Sequence, residues 1–193
     1  MDLSYICVGI VSVLLLKESE ARRNYVTVVH SKSNSNGFTE QGITFPNGSV
    51  QSQLLKQIYQ EAGVDPYKEV DYIEAHGTGT KAGDPQEANA LSAVFIGEAR
   101  DVDKPLLIGS VKSNMGHCEA AAGLASIVKI ILSAQHGILP ANLHFHEPNP
   151  DIPGLHDGSL KVVTEPSPFP GIEKMSNFDI KTNHFYHVCN HCF

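Results

Sequence analysis

The segment CEAAAGLASIVKIILSAQ, residues 118 to 135, constrains the fold more than any other stretch of the chain. Its residues are mostly helix formers, and apolar side chains fall on nearly every side of the cylinder around Lys129. A helix of that kind is normally buried through the middle of a domain, so it needs other layers packed around it. The small residues Ala120, Ala121, Ala122, Gly123 and Ala125 at its start let other backbone approach closely.

Flanking segments supply those layers. Residues 70 to 75 open with the short β-like run Val70-Asp71-Tyr72-Ile73 and read as a strand, followed by the loop HGTGTKAGDPQE and a helix from about Pro85. Proline's fixed φ suits a first turn, and the acids Asp84 and Glu87 favour it. A second strand, PLLIGSVK, runs from Pro105 to Lys112 and leads through SNMGH into the apolar helix. Strands alternating with helices place the chain in the α/β class. Upstream, residues 9 to 16 and 25 to 30 read as neighbouring β-branched strands, separated by the charged turn KESEARRN. The apolar run from Tyr5 to Leu16 is too short to span a bilayer and follows Asp2 rather than a positive region, so it reads as a buried strand and not a signal peptide or membrane anchor. A long polar loop, SKSNSNGFTEQGITFPNGS, follows; its length points to function or partner contact. Ser49 is placed to cap the next helix, on which Leu54, Leu55, Ile58 and Tyr59 share a face until Gly63 ends it. Beyond Gly137 the sequence turns Pro-rich and reads as an extended segment lying over the surface.

The net charge of −7 argues against a nucleic-acid partner, and Arg22-Arg23 is the only basic pair. Cys7, Cys118, Cys189 and Cys192 are too scattered for a disulfide framework, which suggests a reducing, cytoplasmic setting.

Both strands end in the same way. His76 follows the first, and Lys112 closes the second with His117 five residues on, at a helix start. Sites of open α/β sheets gather at the carboxyl ends of strands, so these three residues are candidates to meet. A neutral imidazole donates to a carbonyl oxygen as charge grows on it, and two such donors make an oxyanion or enolate site. The helix N-terminus beside His117 would help keep its ring neutral, and Lys112 would add positive potential or hold His117. A lone histidine after a strand is commonly a satisfied structural residue; two Gly-flanked loops of this kind in one chain shift the reading towards a site. Gly77, Gly79 and Ala82 also match the dinucleotide fingerprint, but GDPQE is no apolar helix start, and the spacing of Lys81 excludes a P-loop.

EAHGTGTKAGDPQE followed by IGSVKSNMGHCEAAAG resembles the ketosynthase, or β-ketoacyl synthase, domain of animal-type multifunctional fatty acid synthases. NSNGFTEQGITFPNG and PANLHFHEPNPDIPGL are similar to the same family's stretches, and the match covers roughly residues 9 to 172. The resemblance implies the C-terminal half of a thiolase-like layered αβαβα fold and a decarboxylative condensation of acyl and malonyl thioesters. It implies that His76 and His117 are the catalytic pair that stabilises the enolate, that Lys112 supports His117, and that Thr78 and Thr80 hydrogen-bond the pantetheine arm. No cofactor is bound covalently; the substrate rides on the phosphopantetheine of an acyl carrier protein. On this reading residues 1 to 22 are a remnant of the N-terminal half, 23 to 140 the C-terminal ketosynthase domain, 141 to 172 its extension and 173 to 193 a divergent tail.

The family's nucleophilic cysteine, in an Ala-Cys-Ser motif, has no counterpart in these residues. Cys118 is the best substitute by position, yet that place is not the family's nucleophile. Past Gly171 the family's Gly- and Phe-rich turn is replaced, leaving its last core strand in doubt. His184, His187, Cys189, His191 and Cys192 cluster in the tail, but a zinc site needs a second pair of ligands that the cluster lacks. His144 and His146 read as packing residues. Three expectations follow: a fragment of a fatty acid synthase, or of a related polyketide synthase, inactive alone; a non-catalytic protein that pairs with intact synthase or with itself; or a small metal-binding protein.

Overall fold

The computed structural model describes residues 6–38, 40–42, 45–97, 103–171 and the backbone of 185–188. Its centre is a four-stranded parallel sheet. Strand β1 (Val70–Glu74) lies between β2 (Leu106–Gly109) and β6 (Phe185–Val188), and β2 is flanked on its other side by β4 (Leu160–Val162). A parallel sheet is buried on both faces, and four of the five residues of β1, including the charged Glu74, are buried.

Each face has its own core. Val70 and Ile73 of β1 and Ala75 just beyond it, with Leu106 and Ile108 of β2, pack on helices α1 (Gly48–Ala62) and α3 (Gly83–Phe95) through Leu55, Tyr59, Leu91 and Phe95. Tyr59 and Phe95 meet edge to face with centroids 5.1 Å apart. On the opposite face Tyr72 packs with Ile130 and Ala134 of helix α5 (Ala122–His136) and with Leu139, Val163 and Phe169. The register shifts between Val70 and Tyr72, so Val70 joins the face of Ile73 rather than that of Tyr72. The result is a helix–sheet–helix sandwich.

Asn47, not Ser49, caps α1: its side-chain oxygen accepts from the backbone N–H of Ser49 and Val50. Leu55 and Tyr59 are buried on the face expected, and Gly63 ends the helix with φ 67°. Helix α3 begins at Gly83, two residues before Pro85. Strand β2 stops at Gly109, because Ser110 turns the chain and Lys112 opens a four-residue helix, α4 (Lys112–Met115).

The extended segment after Gly137 is built into the fold rather than laid over it. Strand β3 (Ile138–Leu139) pairs antiparallel with β5 (Ser167–Pro168), a short helix α6 (Pro153–His156) precedes β4, and Leu139, Ile152, Leu160 and Phe169 are buried. His144 and His146 are exposed, so neither packs in the core. A last strand does form, parallel to β1 at 185–188; the other residues of the His/Cys tail lie outside the described residues.

Two further expectations fail. Residues 9 to 16 and 25 to 30 form no strands, and Val8 (98% exposed) and Ile10 (97%) stand in solvent. A strand exists only against a partner edge, and among the described residues the sheet-like pairing of this region is an isolated bridge from Ile6 to His117. Helix α5 is likewise buried on one side only: Ser126, Lys129, Ile130 and Ser133 face inward, whereas Leu124 and Leu132 are exposed.

Candidate functional site

The carboxyl ends of β1 and β2 bring His76 and His117 together, their rings edge to face with centroids 5.3 Å apart. His76 is buried at the first turn after β1, and two elements hold its backbone. Glu87 of α3 accepts from the N–H groups of His76 (2.7 Å) and Gly77 (2.9 Å), while Ser110 Oγ donates to the His76 carbonyl at 3.1 Å. Gly77 has φ +47°, and a Cβ there would lie 2.9 Å from that of Ser110; the turn needs glycine on both counts. Ser110 is fixed in turn by Asn142, whose Oδ1 accepts its backbone N–H at 2.9 Å.

His117 sits between Gly116 and a 3-10 turn at Glu119–Ala121. The backbone N–H of Glu119 donates to His117 Nδ1 at 2.8 Å. In the neutral ring Nδ1 is therefore the acceptor and the proton sits on Nε2, leaving Nε2–H as a donor. Glu119 takes φ +49° to present that amide, a left-handed conformation unusual for a residue with a Cβ. Burial first, and then the charge of Lys112, lower the His117 pKa below 6.5, against a smaller opposing pull from Glu119. The cause is thus not chiefly a helix dipole: α5 begins at Ala122, beyond the 3-10 turn. Lys112 is itself buried, at 2% exposure.

Thr78 and Thr80 lie at the open side of the same loop, their hydroxyl oxygens 3.5 Å apart. Thr78 is half-buried and Thr80 exposed. Thr80 Oγ1 accepts from Gly83 N–H, and Asp84 accepts from Gly79 N–H at 3.0 Å, which closes the loop onto the start of α3. Burial, followed by the neighbouring charge of Glu87, pushes the Asp84 carboxyl up to about 6.

Below this layer is a buried polar cluster that the sequence reading missed. Glu74, fully buried, accepts from Tyr72 Oη (2.7 Å) and Lys129 Nζ (2.6 Å) on one carboxylate oxygen, and from the N–H of Val111 (2.6 Å) on the other. Lys129 also donates to Tyr72 Oη at 2.8 Å. Gly109 makes room for the cluster, since a Cβ there would meet Tyr72 Oη at 2.7 Å. Glu74 thereby ties β1 and α5 to the turn that carries Lys112. A lysine in an otherwise apolar helix was the available signal, because a buried charge requires a buried counter-charge.

Cys118, the substitute nucleophile considered above, is buried, and its Sγ lies 2.8 Å from Cys7 Sγ. That contact first, and burial second, raise its pKa, which is the opposite of what an activated thiolate needs. Among the described residues no three His, Cys, Asp or Glu side chains gather to hold a metal ion, and no helix is long and apolar enough to cross a membrane.

A family model described as "Beta-ketoacyl synthase, C-terminal domain" matches residues 25–146. Fatty acid synthase of Anser anser anser is 52% identical over 130 residues, which covers 67% of this chain and 36% of that protein. Reducing polyketide synthase hmp8 of Hypomyces subiculosus is 50% identical over 137 residues, 71% of this chain and 6% of that one. Among solved structures, the ketosynthase from module 6 of the bacillaene synthase of Bacillus subtilis 168 superposes with a TM-score of 0.63 at 43% identity, over 70% of this chain and 23% of its own. The chain therefore spans 36% or less of the length of these curated relatives. The sheet and its helices are part of a thiolase-like α/β fold.

Proposed function

Because the chain belongs to the β-ketoacyl synthase C-terminal domain family, we propose that it supplies the two-histidine half of a ketosynthase site, of the animal fatty acid synthase type. The observation that carries this reading is the pair of imidazoles 5.3 Å apart, one of them held as an Nε2–H donor by a main-chain amide.

In the proposed reaction a malonyl thioester, delivered on the phosphopantetheine of an acyl carrier protein, places its carbonyl oxygen between His76 and His117. Loss of CO₂ leaves an enolate whose oxygen carries the new negative charge, and two neutral N–H donors stabilise it without prior reorganisation. Lys112 adds positive potential and keeps His117 neutral, so that its Nε2–H donates rather than ionises. Thr78 and Thr80, at the open edge of the loop, offer hydroxyls to the amides of the pantetheine arm. The carbanion then attacks an acyl thioester, and the cysteine that carries it is not one of the two described here. The 193 residues by themselves are expected to condense nothing, while slow malonyl decarboxylation, which depends on the histidines, persists.

A hybrid tests the reading: residues 25–171 of this chain take the place of the matching stretch in the goose fatty acid synthase. Condensation that falls at least about a hundredfold on replacing His76 or His117 with Ala supports it. A hybrid that folds and loads acyl chains on its own cysteine, yet fails to condense malonyl thioester, refutes it.

A second reading is a pairing function with intact synthase subunits or with a second copy. Val8, Ile10, Leu14 and Leu15, all more than 70% exposed, support it as an apolar strip. Co-sedimentation with intact synthase at micromolar concentration supports that reading, and a monomer indifferent to the synthase removes it.

A further inference from the structure

We propose that Cys7 and Cys118 form a reversible disulfide that anchors residues 6–9 against the loop carrying His117. The two sulfurs lie 2.8 Å apart although 111 positions separate them in sequence. A covalent S–S bond needs about 2.05 Å, so closing it requires a movement of less than about 1 Å. Neighbouring backbone already holds the pair in place: Cys7 N–H donates to the His117 carbonyl at 3.0 Å, within an isolated parallel bridge between Ile6 and His117. Gly9 completes the contact. A Cβ at that position would lie 3.2 Å from Cys118 Sγ, so the absence of a side chain lets the segment sit directly over the thiol.

The burial of the two groups orders the chemistry. Cys7 is half-buried and reachable, whereas Cys118 is buried with 6% exposure. With glutathione disulfide as oxidant, the Cys7 thiolate attacks one glutathione sulfur and releases a glutathione thiolate, which takes up the proton Cys7 gave up. Cys118 then loses its proton and attacks Cys7 Sγ in the mixed disulfide, breaking the Cys7–glutathione bond and expelling a second glutathione. Two protein thiols and one glutathione disulfide become one protein disulfide and two glutathione thiols. The protein pair loses two electrons and the glutathione disulfide gains them.

The consequence is local. In the reduced chain, residues 6–9 reach the site loop through backbone pairing and a thiol contact; in the oxidised chain a covalent bond fixes them one residue past His117. This inference does not depend on the chain handling thioesters, because its readout is the linkage itself.

The test uses the full 193-residue chain with Cys189→Ser and Cys192→Ser, alongside the unsubstituted chain. Both are equilibrated in glutathione buffers from reducing to oxidising, alkylated under denaturing conditions, and digested with trypsin. The expected product is peptide 1–17 linked to peptide 113–129, rising with the oxidised fraction of glutathione and absent in Cys7→Ser. The same chain in urea should form at least about tenfold less of it, because unfolding removes the high effective concentration of the pair. Alkylation of both cysteines across the whole range overturns the proposal. So do stable glutathione adducts at Cys7 that Cys118 does not resolve, linkage that is equal in urea, or preferred pairing of Cys7 with Cys189 or Cys192 in the unsubstituted chain.

Discussion

Replacing Lys129 with Met removes the cation of the buried cluster and leaves Glu74, with no solvent exposure, hydrogen-bonded among the described residues to Tyr72 Oη and the Val111 N–H. Breaking a buried ion pair by deleting one partner costs about 3–5 kcal/mol, because the surviving charge is left uncompensated. Against a typical total stability of about 5–15 kcal/mol, that is a shift of roughly two to three and a half orders of magnitude in the folded-to-unfolded ratio. The double variant E74Q/K129M removes the stranded charge while its amide oxygen still accepts from Val111. It should recover at least about 2 kcal/mol over K129M, a coupling visible in a double-mutant cycle. Urea unfolding at neutral pH, followed by far-ultraviolet circular dichroism, measures all four chains. A loss of under about 1 kcal/mol in K129M, or strict additivity of the two single changes, would mean that the cluster is not the strut described above.

Gly77→Ala should destabilise the chain by about 2–4 kcal/mol, the sum of a left-handed backbone cost and a clash with Ser110, whereas Gly63→Ala meets open space and should cost only the backbone part; thermal unfolding of the two distinguishes them. The lowered His117 pKa makes a signed prediction for pH. Below about 6.5 the unfolded chain binds the proton more readily than the folded one, so this residue's contribution to stability falls as the pH drops through that range. In nitrogen NMR the His117 ring should show the Nε2–H form at neutral pH, and Lys112→Met should move its titration upward; an unmoved or lowered titration would remove Lys112 as a cause.

Much of the site was legible because the residues that mark it lie where strands stop. His76 lies just past β1 and His117 in the turn that follows β2, each beside glycine, and the sheet's parallel order brings the ends of β1 and β2 together. What supports them was not legible. Glu87 read as a helix-start acid, yet its carboxylate grips the His76 loop, a contact across a fold that no local pattern encodes. Asn142 lies in a segment that read as surface and reaches back to Ser110. The strands expected at 9 to 16 and 25 to 30 failed for a different reason. β-branched composition specifies a preference for pairing, not the presence of an edge to pair with. Helix α5 shows both sides of this: its apolar composition called for burial, and only the face holding Lys129 found it.

The hydrogen bond from Glu119 to His117 comes from a main-chain nitrogen, not from the glutamate side chain. Replacing the side chain at 119 therefore leaves the proton of His117 where it is, and glycine there would also relieve the unfavourable φ of +49°. Only proline, which has no N–H and cannot adopt that angle, would abolish the control. The placement of this proton is thus insulated from nearly every single-codon change at the position that governs it. It is inherited with the path of the loop, and a screen of side-chain substitutions would read the small electrostatic pull of the Glu119 carboxylate on His117 while missing the role its backbone performs.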